Sequence, residues 1–275
     1  GYGSQFFEPL WNSVLMDGAP VGVPHHTDTS ALAYNKAHFD KAGITEVPTT
    51  LDTAWSWEEF VQVLQKLKAA NLGAYPFAFN YQEYGAYRWF NTLYQAGGSV
   101  LDSSLTNVTL NTDQAKKALE WNRSLYTQGL HAPNVLVKRP TYPDEIFPTQ
   151  KISMIQTGDF LIPSLDAAIG NKFEWGTARF PLDNKANGGV PTGGNAVVML
   201  TKDAAKQKAA WDFIKYVTSA DAQKVVVEMT GYLPTNQVAL GASHLGPFYD
   251  KNPNFRTATT QIDKSLPWGG YPGGQ

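Results

Sequence analysis

The sequence predicts an α/β fold, and three observations predict it. Short apolar runs suited to buried strands alternate with longer segments whose apolar residues recur at helical spacing. The 275 residues make about two domains at ~150 residues each. The composition is that of a packed protein, 43% hydrophobic and only 17% charged, against a usual charged share of ~25%.

The elements follow in order. Residues 1–19 carry aromatic and turn residues and read as the tail of something that starts earlier. Val21 and Val23, then Ala31–Tyr34, suggest two short extended runs, with the polar stretch His25–Ser30 between them, straight after Pro24. Lys36–Gly43 reads as a short helix ended by glycine. Ser56-Trp57-Glu58-Glu59 is a capping box, and Phe60, Val61, Leu64 and Leu67 follow at helical spacing up to a stop near Asn71–Gly73. Ala74–Asn80 is a short strand, and Tyr84–Gln95 a helix closed by Gly97-Gly98. Asn111–Gln114 opens another helix, with Ala115, Ala118, Leu119, Leu125 and Tyr126 on its apolar side.

Tyr142–Lys151 reads as helical, Ile152–Gln156 as a buried strand, Phe160–Ile169 as a helix after Gly158, and Glu174–Phe180 as a strand. Asp183–Gly194 is a Gly/Pro-rich loop that marks a boundary or crossover. The strand Asn195–Leu200 precedes an amphipathic helix, Ala204–Thr218, with Ala210, Trp211, Ile214 and Val217 inward. Ala220–Met229 is a second helix stopped by Pro234, Asn254–Asp263 a further one, and a Gly/Pro run occupies 269–274.

Several function classes drop out on composition. Lys plus Arg is 22 and Asp plus Glu is 24, a net charge of −2, so no nucleic-acid partner is expected. No run of ~18 apolar residues is present, so no membrane-spanning helix is expected. The opening Gly1-Tyr2-Gly3 reads as a processed, trimmed or fragmentary start without a signal peptide. The absence of Cys removes disulfides, thiolate metal sites and Cys nucleophiles, and fits an exported bacterial protein, although many cytosolic proteins share it. The 8 Trp and 13 Tyr suit a surface that stacks on flat apolar faces such as those of sugar rings.

No dinucleotide or P-loop glycine pattern occurs, nor H-E-x-x-H, nor G-x-S-x-G, so no cofactor and no catalytic residue is assigned. His25-His26 with Asp28 can be drawn as a metal site. Adjacent side chains on an extended strand point to opposite faces, however, and no third ligand lies nearby, so no metal is expected. Asp28 and Glu83 are the one carboxylate pair that would suit a shared cleft, which keeps a glycoside hydrolase open as an alternative.

Four segments carry a resemblance. Pro24–Lys36 reads P-H-H-T-D-T-S-A-L-A-Y-N-K and runs into F-D-K-A-G-I at 39–44. Ser56–Phe60 reads S-W-E-E-F, and Lys151–Gly158 reads K-I-S-M-I-Q-T-G. Gly193-Gly194-Asn195 precedes the helix 203–218 and the run T-G-Y-L-P at 230–234. In this order they resemble the solute-binding proteins of bacterial ABC importers, in the sugar-binding branch. Phe248–Pro253, F-Y-D-K-N-P, resembles the glycerol-3-phosphate-binding subgroup.

The resemblance implies two α/β lobes of the periplasmic-binding-protein type, joined by crossovers at Pro24–Asp28 and Val190–Asn195 that act as a hinge. It implies first-lobe segments at 1–27 and 191–262, a second lobe at 28–190, and a return toward the second lobe at 263–275. Members of the family carry further residues ahead of and beyond these segments, so the first lobe is expected to be incomplete in this chain.

The implied function is capture of a sugar or oligosaccharide by hinge closure, without covalent chemistry, for a membrane permease. The protein is expected to be a periplasmic or extracellular monomer, free or lipid-anchored to the outer face of the cytoplasmic membrane. The residues that the resemblance places at the ligand are His25 and Asp28 at the first crossover; Tyr81, Glu83 and Tyr84; Gly158, Asp159 and Phe160; Gly194 and Asn195 at the second crossover; and Tyr232 and Trp268. Carboxylates and amides suit sugar hydroxyls because they are fixed acceptors and donors. Glycerol-3-phosphate or a glycerophosphodiester is the alternative cargo, with Arg88 and Arg139 as partners. Asp28 and Glu83 argue against an anion.

Overall fold

The computed structural model describes residues 1–79, 85–133 and 143–267. Its larger sheet has four strands in the order Tyr75–Ala78, Ile152–Gly158, Ser30–Asn35, Trp175–Ala178. The first two run parallel, and Ser30–Asn35 is antiparallel to both of its neighbours. Helices cover both faces. Leu32 lies in one core cluster with Phe39, Phe60, Leu64, Phe77 and Leu125, while its neighbour Ala33 lies in the other with Phe147, Ile155, Ile162 and Ile169. That is the two-residue alternation of a strand buried on both sides. Every residue of Ile152–Gly158 is buried for the same reason.

Local signals set the helices around this sheet. The Asn35 side chain accepts from the His38 amide and starts the helix Lys36–Lys41. The capping box is complete: Ser56 Oγ accepts from the Glu59 amide at 3.1 Å and the Glu59 carboxylate accepts from the Ser56 amide at 2.7 Å, opening the helix Trp57–Ala69. In the helix Asp113–Thr127 the buried stripe is Ala115, Ala118, Trp121, Asn122 and Leu125. Leu119, expected inward, is 55% exposed. The stripe instead follows Asn122, whose amide donates to Thr92 Oγ1 at 2.9 Å.

A three-stranded sheet, the next in size, is antiparallel, in the order Leu233–Pro234, Val23–Thr27, Asn195–Val197. The expected polar linker His25–Ser30 is therefore mostly strand, and only Asp28 and Thr29 separate the two sheets. The second crossover is equally short. Val190–Thr192, expected as loop, pairs in parallel with Ser265–Pro267 and passes through Gly193-Gly194 into Asn195–Val197. A three-residue strand shows no periodicity, and its partner lies far along the chain. The crossovers are laced together: the Gly193 amide and Thr192 Oγ1 both donate to the Asp28 carbonyl at 3.1 Å, and Thr27 and Thr192 hydroxyls bond to each other.

The helices expected in the smaller lobe differ in detail. In the helix Ala204–Val217 only Ile214 is buried, against Phe6 and Val23, and Trp211 lies 37% exposed beside the Tyr2 ring. The helix Ala220–Thr230 ends at Gly231, whose φ of +78° takes the left-handed cap, before Pro234 is reached. The helix Pro253–Thr259, expected within the first-lobe segment 191–262, packs on the four-stranded sheet. Thr177 Oγ1 donates to the Asn254 carbonyl and to Thr257 Oγ1, and the Gln261 side chain bonds Phe180 N and the Ser30 carbonyl. Ala258 and Ile262 of the same stretch also pack with Leu10 and Leu233, so it touches both sheets.

Candidate functional site

A cavity of about 880 Å³ opens where the two sheets meet. Its wall includes four of the expected residues, namely Asp28, Gly158, Phe160 and Tyr232. Asp28 reaches it from the first crossover. Gly158 ends the central strand, and its missing Cβ leaves room for the Phe160 ring, whose Cε1 would otherwise lie 2.5 Å away. Phe160 follows in the 3-10 turn Asp159–Leu161 that leads into the helix Ile162–Ile169. Tyr232 comes from the opposite lobe, straight after the Gly231 helix end. The Phe160 and Tyr232 rings stack with centroids 5.3 Å apart and planes 19° apart.

Asp159 does not line the cavity. It is fully buried below it, with Oδ1 accepting from the Thr29 amide at 3.0 Å. Its own amide donates to the Thr29 carbonyl at 3.3 Å, so this N–H is committed internally rather than offered to a solute. Burial, then the nearby Asp28 carboxylate, push the Asp159 carboxyl well above the usual carboxylate range.

His25, Gly194 and Asn195 also stand off the cavity wall. The strand shifts register between Pro24 and His26, a bulge that breaks the alternation of adjacent side chains. The two imidazoles consequently meet, Nδ1 to Nδ1 at 3.0 Å, instead of pointing apart. His26, not His25, is the one that reaches the seam. Its ring lies 4.5 Å from Tyr232, and its Nε2 is 3.3 Å from the Asn195 amide nitrogen. Asn195 is therefore tied to the ring pair through His26. Burial lowers the basicity of both histidines. Among the described residues no three His, Cys, Asp or Glu side chains gather as a metal site.

Tyr81, Glu83, Tyr84, Trp268 and Arg139 lie outside the described residues, as does the side chain of Arg88. The wall contains further residues that sequence reasoning missed. Tyr87 lies on the helix Gly85–Gln95, with its hydroxyl donating to the Pro191 carbonyl at 3.1 Å. It follows Tyr84 by three residues, the spacing of one helix face, and that signal was available. Asp144 accepts from Thr157 Oγ1, and Glu145 adds a second carboxylate. Lys172 is the one cation among the described wall residues. Nothing local in the sequence joins these three to Asp28.

The wall thus combines carboxylates, hydroxyls and aromatic rings. Carboxylates accept charge-assisted hydrogen bonds from hydroxyl groups, and rings cover apolar C–H faces.

Known proteins share this fold. The multiple sugar-binding protein of Streptococcus mutans is 25% identical over 90% of this chain and 63% of its own length. The sn-glycerol-3-phosphate-binding periplasmic protein of Yersinia enterocolitica is 25% identical over 89% of this chain and 55% of its own. The structure of the sugar-binding protein MalE from Xanthomonas citri superposes with a TM-score of 0.82 at 21% identity, covering 96% of this chain and 64% of that one. The chain therefore spans between 55% and 64% of the length of these relatives, and its architecture is the two-lobe fold of periplasmic sugar-binding proteins. The model of the bacterial extracellular solute-binding proteins matches residues 2–257, and the chain belongs to that family.

Proposed function

We propose that this chain captures a sugar or oligosaccharide in the seam between its lobes and presents it to the permease of an ABC importer. The observation that carries this reading is the cavity wall, where the Asp28 carboxylate and the stacked Phe160–Tyr232 rings face one space of about 880 Å³. That volume falls within the ~300–1,000 Å³ of small-molecule sites. Asp28 accepts hydrogen bonds from hydroxyl groups, the rings cover a pyranose face, and the two short crossovers let the lobes rotate about Asp28–Thr29 and Gly193-Gly194. No bond is made or broken. The protein acts as a monomer outside the cytoplasmic membrane, either free or lipid-anchored.

Similarity to the glycerol-3-phosphate-binding protein supports a second cargo, a glycerol phosphate or phosphodiester. Lys172 is available to a phosphate, but Asp28, Asp144 and Glu145 on the same wall repel one, which favours the neutral solute. Titration with a panel of mono- and oligosaccharides and sn-glycerol-3-phosphate, read by tryptophan fluorescence and thermal shift, tests the assignment. A saturable response to a sugar is expected. A response to the phosphate ester alone supports the second cargo, and silence across the panel rejects both.

A further inference from the structure

We propose that Asp159 is the positioning residue of the ligand seat: from beneath the cavity it fixes the Asp28–Thr29 turn so that Asp28 presents its carboxylate to the solute. The proposal rests on the capture function above. It starts from a two-way clasp. Asp159 Oδ1 accepts from the Thr29 amide at 3.0 Å, and the Asp159 amide donates to the Thr29 carbonyl at 3.3 Å. Thr29 is also held from the other crossover, since its hydroxyl donates to the Pro191 carbonyl at 3.2 Å and it forms a bridge with Thr192. The turn that carries Asp28 is thereby pinned from two sides, and Asp159 supplies the only pin that comes from a carboxyl group among the described residues.

Asp159 sits where the lobes touch. A Cβ on Gly231, at the end of the small-lobe helix, would lie 3.0 Å from the Asp159 carbonyl oxygen and 2.9 Å from Pro163 Cδ. Gly231 leads directly to Tyr232 on the opposite wall. The Asp159 side chain thus holds the Thr29 amide while its backbone oxygen lies beside the helix end that leads to Tyr232.

The second carboxyl oxygen, Oδ2, is enclosed and has no hydrogen-bond partner among the described residues, and the enclosed Tyr249 hydroxyl has none either. An ionised carboxylate without water or a partner is costly in such surroundings. Two neighbouring carboxyls do not both ionise readily. The buried Asp159 therefore keeps its proton, at Oδ2. The titratable groups around Asp159 are Asp28 from the crossover and Tyr249 from the helix Gly246–Lys251. Arg256 of the helix Pro253–Thr259 acts on Tyr249.

Three measurements on wild type, Asp159→Ala and Asp159→Asn test this. The first is exchange of the Thr29 backbone amide by NMR without any solute. Asp159→Ala is expected to speed it at least tenfold, and Asp159→Asn, which keeps an oxygen at Oδ1, to recover most of the protection. The second is binding of maltotriose by calorimetry, where Asp159→Ala is expected to weaken affinity at least tenfold and Asp159→Asn to recover most of that loss. The third is melting temperature from pH 4 to 9, upward from the ordinary carboxylate range. A carboxyl held protonated by the fold loses its stabilising contribution as pH rises through its raised value, so wild type is expected to fall relative to Asp159→Asn.

Equal Thr29 protection in wild type and Asp159→Ala overturns the proposal. So does an Asn variant as damaging as Ala, or a melting difference that does not change with pH. If Asp159→Ala does not fold, the pH comparison of wild type and Asp159→Asn decides. If wild type ignores maltotriose while the Thr29 result holds, the capture reading loses support and the clasp stands.

Discussion

Phe160 and Tyr232 face each other across the seam, ring on ring, with centroids 5.3 Å apart, although one follows the central strand of the large lobe and the other the last helix turn of the small one. Each ring lines the cavity, and the pair is the apolar complement of Asp28. A solute that enters the seam meets both. Phe160→Ala and Tyr232→Ala should each weaken sugar binding about tenfold, the equivalent of ~1.4 kcal/mol. The direct ring–ring coupling should be ~0.5–1.5 kcal/mol in a double-mutant cycle on stability. Calorimetry and denaturant melts of the four proteins check both. Unchanged affinity in both single variants would remove the rings from the site.

The second crossover leaves no space beside Asp28. A Cβ on Gly193 would collide with Asp28 Oδ1, and one on Gly194, at φ +97°, with the His26 carbonyl. Gly193→Ala should displace the Asp28 carboxylate and cost at least tenfold in affinity with a small change in melting temperature. Gly194→Ala should lower stability as well, because its backbone lies in the left-handed region. A Gly193→Ala protein with wild-type affinity would show that Asp28 is not held against this turn for binding.

Acid should destabilise the large lobe through His131. Its Nε2 accepts from the Phe79 amide at 2.6 Å and its Nδ1 donates to the Ala132 carbonyl at 2.6 Å, so the neutral ring uses both nitrogens. Burial lowers its pKa to about 4. The unfolded chain takes up the proton near the ordinary ~6.5 and the folded chain only near 4, so stability falls as pH drops through that window. Melting temperature should decline from pH 7 to pH 4, and less steeply in His131→Asn. Parallel curves would count against this source.

Ser56→Ala removes one half of the capping box that opens the helix Trp57–Ala69. The loss should be about 1 kcal/mol and lower the melting temperature by roughly 2–4 °C, with no effect on sugar affinity. A drop in affinity would mean that this helix end reaches the site.

Much of this was legible in the chain itself. The capping box at Ser56–Glu59 and the strand before Asn35 are short-range signals that tertiary packing does not override. The crossovers at Pro24–Asp28 and Val190–Asn195 stand out as polar or glycine-rich breaks between apolar runs, and Asp28, Phe160 and Tyr232, which the resemblance places at a ligand, line one cavity. What escaped depends on contacts between distant segments. The pairing of Val190–Thr192 with Ser265–Pro267 has no local pattern, and Asp144 and Lys172 join the wall only through folding. The bulge at His26 reverses the expected facing of the two histidines. Asp159, expected at the ligand, is drawn inward by the Thr29 amide, a bond that only the folded chain forms.

The account turns on the carboxylate of Asp28 as the polar anchor of a sugar. Calorimetric titration of wild type and Asp28→Ala with the sugar that gives the largest thermal shift measures this directly. Micromolar or tighter binding by wild type, weakened at least thirtyfold in the variant, is the predicted result. Equal affinity in the two proteins would contradict it.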